Sequence, residues 1–304
     1  MTLLFSWCAE FRGEFGEEVR TKESEFFTAF HNYSLYWLNM GKGEETIAVH
    51  ERQKSCGRLF YSTWFCPYAQ RAWIALEFKQ VPYEWRECIL YEGSPSAKLI
   101  LSLEEKSKRT PGFIECSPRG LVPAVQMPDF FVNDSLPVIE FFEDSIPAHP
   151  LLPSSASERA KIRMGIALWN ELVVGKFYSL LLSPSEDWEA GKTKLYAGLD
   201  AVMAMFTSEG PFFSSFGFSL FECACLPWMQ RTLVTLPTYR NFTLCPKKYS
   251  RLHEWYAAAL KVPAFANTVV DESRLIESYA GYASNAADTN AADLYRVAKK
   301  KPST

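Results

Sequence analysis

The stretch FCPYAQR at positions 65–71 decides both the fold and the chemistry predicted for this chain. The preceding residues RLFYS, at 58–62, predict a short buried strand. Pro67 suits the first turn of a helix, because its missing N–H would have no helical partner there. The apolar residues that follow recur at helical offsets and form one face, comprising Ala69, Ala72, Trp73 and Leu76. Residues 81–90 predict a second strand, so the order is strand, helix, strand.

Cys66 stands immediately before this proline-started helix. A residue there meets unpaired backbone N–H groups and the positive end of the helix dipole. Both favour the thiolate, which is the nucleophilic form of cysteine. Position 69 is alanine, so no second cysteine within the motif can resolve a disulfide. The pattern predicts monothiol exchange with a mixed disulfide or an electrophile, while a buried core cysteine at a strand–helix corner remains the alternative.

Two later motifs could bind an extended polar ligand. Val122-Pro123 follows a glycine turn and predicts a cis bond, which would expose the Val122 backbone to pair with a peptide. At a predicted helix start, the Ser135 hydroxyl and neighbouring N–H groups can hold a carboxylate, and Asp134 can pair with an ammonium. A plain helix cap without any ligand explains the same Asp-Ser pair.

Composition narrows the class of protein. The chain has 304 residues, enough for two domains, and its formal net charge of −3 argues against a nucleic-acid partner. Eight cysteines without a C-x-x-C pair, and four histidines scattered away from them, predict neither a disulfide scaffold nor a metal site. No apolar run approaches the ~20 residues of a membrane helix, and no basic region precedes the apolar start. We therefore expect a cytoplasmic protein without stable membrane insertion.

Beyond a proline-flanked linker the sequence changes from mixed to helical patterning. Helical spacing of apolar residues returns at 158–182, 195–206, 219–234 and 249–260. Ser219 and Glu222 form a capping box, in which a hydroxyl and a carboxylate satisfy the free N–H groups of a first turn. The predicted fold class is therefore α/β plus all-α, with a mixed domain followed by an all-helical one.

Together these motifs resemble the cytosolic glutathione transferases, especially the omega class and the related dehydroascorbate reductases and thiol transferases. The resemblance rests on FCPYAQR, on SPRGLVP at 117–123, on Asn-Asp-Ser at 133–135 and, later, on Pro227, Trp228 and Arg231. It covers roughly residues 57 to 285. It implies a set of segments: an extension of unclear structure (1–56), a thioredoxin-like glutathione-binding domain (57–147), a linker (148–157), a helical domain (158–285) and a tail (286–304).

The resemblance also implies roles for individual residues. Cys66 would be the catalytic nucleophile and form a mixed disulfide with glutathione. The tripeptide itself would be held by Cys66, Val122, Pro123, Asp134 and Ser135. The co-substrate, a small electrophile or disulfide, would meet Tyr68, Trp169 and Trp228, although ordinary core packing is the favoured explanation for the two tryptophans. Glutathione would be a co-substrate, no cofactor would be tightly bound, and the protein would be a homodimer with thiol transferase or reductase activity.

Two departures and several alternatives qualify that interpretation. Tyr91 occupies the place of the family's lysine for the glycine carboxylate, and Lys98 could substitute for it. The charged stretch 92–112, predicted to be a partly helical surface insertion, is longer than usual, so another thiol could replace glutathione. A non-catalytic scaffold of the same fold and an intracellular-chloride-channel-like protein are the competing classes. Conjugating enzymes of the serine or tyrosine type are disfavoured, because a cysteine favours redox exchange.

Overall fold

The computed structural model describes residues 57–94 and 98–298. The predicted extension at 1–56 and the last six residues of the predicted tail lie outside the described residues.

The first part of the described chain is a four-stranded mixed sheet with helices. Strand β1 (Leu59–Ser62) pairs in parallel with β2 (Glu84–Glu87) and antiparallel with β5 (Ala124–Gln126), and β5 pairs antiparallel with β6 (Phe131–Asn133). The strand order is therefore β2-β1-β5-β6. The central strand β1 is buried along most of its length, with Phe60 and Tyr61 almost fully enclosed. The helices that pack on this sheet are α1 (Pro67–Phe78) and α4 (Ser135–Ser145). The predicted thioredoxin-like α/β architecture is confirmed.

The stretch between β2 and β5 forms its own small substructure. It contains β3 (Tyr91–Glu92) and β4 (Leu99–Ile100), which pair antiparallel, then α2 (Leu103–Arg109) and α3 (Phe113–Cys116). Ser102 caps α2 by accepting from the Glu105 N–H at 3.2 Å. Lys106 is buried, and its Nζ donates to the Gly120 carbonyl at 3.1 Å. The insertion is therefore tied to the segment that precedes Pro123.

The remainder is all-helical, as predicted. Its elements are α5 (Ala156–Trp169), a π turn (Asn170–Val174), α6 (Gly175–Leu181), a 3₁₀ turn (Ser185–Asp187), α7 (Trp188–Met203), α8 (Leu220–Arg240), α9 (Ser250–Ala259), α10 (Pro263–Ala266), α11 (Glu272–Ala283) and α12 (Asn290–Ala298). The capping box is present, with Glu222 accepting from the Ser219 N–H at 2.8 Å. The stretch 158–182 was expected to be one helix, but the π turn interrupts it. Patterning did not reveal α10 and α11.

Helix α1 is the element through which the sheet contacts the helical part. It packs against α4 on one side and against α8 on another. The Arg71 Nε donates to the Ala224 carbonyl at 2.7 Å, and the Gln70 Nε2 donates to the Thr268 carbonyl at 2.8 Å. These buried polar contacts join residues far apart in sequence. They hold the beginning of α1, and Cys66 with it, against the helical domain.

Candidate functional site

A cavity of about 330 Å³ opens beside Cys66, between the sheet domain and the helices. From the sheet domain it is lined chiefly by Cys66, Tyr68, Tyr91, Val122 and Asp134, together with Phe65, Pro67, Leu90, Ser117, Arg119, Leu121, Pro123 and Asn133. From the helices it is lined by Tyr178, Tyr279, Tyr282, Asn290, Ala291 and Leu294. The structure thus gathers the predicted nucleophile and most of the predicted ligand-binding residues around one space.

Cys66 is the N-cap residue of α1 and is only partly exposed. Burial raises the pKa of its thiol, which opposes the sequence expectation of a readily formed thiolate. Four groups counter this: the backbone N–H groups of Ala69 and Tyr68 and the positive charges of Arg231 and Lys98 each lower the Cys66 pKa. The helix start therefore favours the thiolate as predicted, but it works against a desolvation effect that the sequence did not reveal.

Arg231 is the central polar residue beneath Cys66. It is fully buried on α8, and its Nη2 donates to the Phe65 carbonyl, in the peptide bond before Cys66, at 2.9 Å. Its Nη1 donates to Gln70 Oε1 at 2.7 Å, and its Nε donates to the Tyr279 hydroxyl at 2.9 Å. One side chain thus fixes the start of α1 and a cavity tyrosine. Its motif was noted in the sequence, but its contact with the active-site peptide spans 166 positions.

The Val122–Pro123 peptide bond is cis, as the sequence predicts. Both residues line the cavity. Within the described part of the chain, the backbone N–H and C=O of Val122 have no hydrogen-bond partner. An extended peptide alongside this residue could use both groups as an added strand would.

Asp134 has an unusual backbone, with φ at 74° and ψ at 143°. Such a conformation costs a non-glycine residue about 1–3 kcal/mol and is concentrated at functional sites. Its Oδ1 accepts from the Ser135 N–H at 2.7 Å, and its Oδ2 lies 3.2 Å from Arg119 Nη2. Asp134 and Arg119 therefore present opposite charges side by side at the cavity wall. Ser135 is buried as the first residue of α4 and is not a lining residue.

Lys98 does not take the place of the missing lysine. Its ammonium is buried, donates to the Ser278 carbonyl at 2.7 Å and lies 4.2 Å from the centre of the Phe65 ring. Burial lowers the pKa of Lys98 to about 8, although the Cys66 charge acts in the opposite direction. Lys98 is not a lining residue of the cavity, whereas Tyr91 is. The side chain that the structure offers a carboxylate at this position is therefore a phenol.

The two tryptophans expected in the co-substrate pocket do not line it. Trp169 is fully buried, and its ring lies 5.8 Å from that of Trp255. Trp228 is also fully buried, beneath Tyr68 at 4.7 Å between ring centres. This expectation is corrected, because both side chains fill the core of the helical domain. Tyr68 does line the cavity.

The helical wall of the cavity is instead formed by tyrosines that the sequence analysis missed. Tyr178 comes from α6, while Tyr279 and Tyr282 come from α11. Helix α12 contributes Asn290 and Leu294. The spacing of three residues between Tyr279 and Tyr282, which places side chains on one helix face, was the available signal.

Across residues 57–94 and 98–298, no three His, Cys, Asp or Glu side chains come together in a way that could hold a metal ion. No helix in that same part of the chain has the length and apolarity to span a membrane.

Comparison with known proteins places this fold and site in context. Residues 65–145 match the family model for the glutathione S-transferase N-terminal domain. Glutathione S-transferase 3 of Glycine max is 27% identical, over 70% of this chain and 90% of that protein. Pyrimidodiazepine synthase of Drosophila melanogaster is 24% identical, over 67% of this chain and 77% of its own length.

Among solved structures, glutathione transferase Omega 3C from Trametes versicolor superimposes with a TM-score of 0.64. It is 28% identical, and the match covers 79% of this chain and 96% of the Trametes protein. The fold is therefore that of the glutathione transferases. Residues 65–145 form the glutathione S-transferase N-terminal domain within that fold.

Proposed function

We propose that this protein is an omega-like thiol transferase and reductase of the glutathione transferase family, in which Cys66 exchanges disulfides with glutathione-linked substrates. The observation that carries the proposal is the position of Cys66. Its thiol, the free backbone of Val122 and the charged pair at Asp134 line one cavity. A cysteine in this position can form a covalent bond to sulfur, whereas a hydroxyl could only stabilise a glutathione thiolate.

Glutathione would lie across the sheet side of the cavity. Its γ-glutamyl ammonium would pair with Asp134, and its carboxylate would meet Arg119. Ser135 would contribute indirectly, because its N–H donates to Asp134 Oδ1 and holds that carboxylate in place. The cysteinyl backbone of glutathione would pair with Val122, which brings the sulfur to Cys66. The disulfide or electrophilic co-substrate would occupy the tyrosine-lined side. The proposal also includes a cytoplasmic location, a homodimer and domain limits at 57–147 and 158–285.

Turnover of a glutathione mixed disulfide and of dehydroascorbate tests the proposal. Wild-type protein should reduce at least one of them with glutathione as the electron donor, and Cys66→Ala should lose the activity. Cys245→Ser is the matched control, because Cys245 is exposed and the backbone N–H groups of Lys248 and Lys247 lower its pKa. Equal turnover by Cys66→Ala and wild type would refute the role of Cys66. Inactive wild-type protein that also fails to bind glutathione would favour a scaffold.

A further inference from the structure

The described chain has a second cavity, of about 250 Å³, next to the first one beside Cys66. The two cavities share three lining residues, Phe65, Leu90 and Tyr91. Neither Cys66 nor Asp134 lines the second cavity. It is therefore separate from the site proposed for glutathione, and what it binds does not depend on the proposed function.

Lys98 contributes a positive charge to the wall of the second cavity. The residue is only 7% exposed, and its Nζ donates to the Ser278 carbonyl at 2.7 Å and lies 4.2 Å from the centre of the Phe65 ring. Because Phe65 and Ser278 line the same cavity, the ammonium lies at the cavity wall. Burial lowers the pKa of Lys98 to about 8, so the side chain is still mostly charged at neutral pH.

The Lys98 ammonium has no counter-charge in the described part of the chain. It carries three N–H donors, of which Ser278 accepts one. Within residues 57–94 and 98–298, no second oxygen accepts from it and no carboxylate pairs with it. Burying a charge costs a great deal of free energy unless the charge is paired. The remaining N–H groups are therefore available to an anionic acceptor.

Glu87, the other charged residue among the described lining residues, already has its donors. Its Oε1 accepts from the Thr63 hydroxyl at 2.7 Å and from the Trp64 N–H at 3.4 Å, and its Oε2 accepts from Trp85 Nε1 at 2.9 Å. This carboxylate needs no cation from a ligand, and it would repel a second negative charge. A carboxylate, with its single charge, therefore suits the cavity better than a phosphate dianion.

Much of the remaining wall is apolar. The rings of Trp64 and Phe65 meet edge to face at 5.4 Å between centres, and those of Phe65 and Tyr91 lie 5.9 Å apart. Ile89 and Leu90 add aliphatic surface. Binding sites for small molecules commonly combine such an apolar lining with a few polar groups that fix the ligand's orientation. The cavity thus suits a flat apolar body that carries one carboxylate.

We propose that the second cavity binds an aromatic monocarboxylate, with the carboxylate on the Lys98 ammonium and the ring among Trp64, Phe65 and Tyr91. The association is non-covalent. Because Phe65 and Tyr91 also line the first cavity, the bound ring lies against the wall of the Cys66 cavity without entering it.

Calorimetric titration of the full-length protein at pH 7, with 2-naphthoate and its neutral analogue 2-naphthamide, tests the proposal. Wild type should bind naphthoate at least about tenfold more tightly than naphthamide, because only the carboxylate neutralises Lys98. Lys98→Met should weaken naphthoate binding about 10- to 100-fold and change naphthamide binding by less than about threefold. Lys106→Met is the matched control, because Lys106 is also buried and donates to a backbone carbonyl, that of Gly120 at 3.1 Å, outside the cavity. It should leave both affinities unchanged.

A second pair of variants locates the bound probe, and it provides the test if Lys98→Met fails to fold. Ile89 lines the second cavity and not the first, whereas Leu294 lines the first and not the second. Both side chains are well exposed, by 44% and 62%, so both positions can accept a charge. Ile89→Glu should repel naphthoate and weaken its binding about tenfold or more, while Leu294→Glu should leave it unchanged.

Equal affinity of the wild type for naphthoate and naphthamide, or binding of neither, would overturn the proposal. An equal loss of naphthoate binding in Lys106→Met and Lys98→Met would also overturn it. So would a loss in Leu294→Glu but not in Ile89→Glu, because the probe would then lie in the Cys66 cavity. None of these titrations involves turnover, so a negative result here would leave the proposed function standing.

Discussion

Replacing Arg231 by methionine removes the buried cation that joins α8 to the start of α1. In the wild type it donates to the Phe65 carbonyl, to Gln70, to the Tyr279 hydroxyl and to one carbonyl of its own helix. Each acceptor left without a donor in the interior costs about 1–3 kcal/mol. Removing the guanidinium also removes the cost of burying its charge, so we expect a net loss of about 3–5 kcal/mol in the free energy of unfolding.

The same substitution should change the chemistry of Cys66. The Arg231 charge lowers the pKa of the Cys66 thiol. Removing that opposite charge should therefore raise the Cys66 pKa, while Lys98 remains in place and continues to lower it. Alkylation by iodoacetamide, followed across pH at the Cys66 peptide, measures this value. Urea unfolding of the same samples measures the stability.

Two further variants separate charge from packing. Arg240→Met is the matched control, because Arg240 is also buried and donates to backbone carbonyls, those of Leu180, Leu181, Tyr239 and Ala283. It should lose stability without changing the Cys66 titration. Arg231→Lys keeps the positive charge, so the Cys66 pKa should lie closer to the wild-type value than it does in Arg231→Met. The stability should remain low, because the guanidinium hydrogen bonds are lost. An unchanged alkylation profile in Arg231→Met, or an equal shift in Arg240→Met, would refute the reasoning.

Three other changes follow from the site. The pKa of Lys98 is about 8 when folded and ordinarily about 10.4 when unfolded, so the unfolded chain holds the extra proton between those values. The free energy of unfolding of the wild type, measured in urea, should therefore rise relative to that of Lys98→Met as the pH goes from about 8 to about 10. A difference between the two proteins that does not change with pH would contradict this prediction. Asp134→Asn should raise the KM for glutathione about tenfold with little change in kcat, because Asn tolerates the positive φ but cannot pair with the ammonium. An unchanged KM would exclude a contact between Asp134 and the γ-glutamyl ammonium. Tyr91→Lys should lower the KM for glutathione about threefold but not that for its glycine ethyl ester, and an equal gain on both would show that the lysine does not bind the glycine carboxylate.

The elements of the site that could be predicted are those with local signatures. Cys66 is recognisable because Pro67 marks a helix start, and the cis Val122–Pro123 bond because of the turn before it. Asp134 could be placed at a helix start, but its positive φ could not be predicted. At each of these positions the neighbouring residues determine the local backbone conformation, so the sequence motif is sufficient to predict it.

The residues that were missed, or placed wrongly, depend on contacts distant in sequence. Arg231 reaches the peptide before Cys66 across 166 positions, and no local pattern records that hydrogen bond. Aromatic side chains at helical spacing do not distinguish a core from a cavity wall. Trp169 and Trp228 were therefore named as candidate pocket residues beside the favoured core interpretation, and they pack in the core, while Tyr279 was overlooked. Desolvation of Cys66 likewise depends on the complete fold.

The most direct test of the central claim is to detect the covalent intermediate on Cys66. Protein would be mixed with one equivalent of a glutathione mixed disulfide, quenched with acid within one turnover and mapped by peptide mass spectrometry. Cys245 is the internal comparison, because it is exposed and the nearby backbone N–H groups lower its pKa. We predict one glutathionyl group on the Cys66 peptide, formed and released by added glutathione at least as fast as kcat. Turnover without this adduct, or with glutathionylation confined to Cys245, would contradict the account.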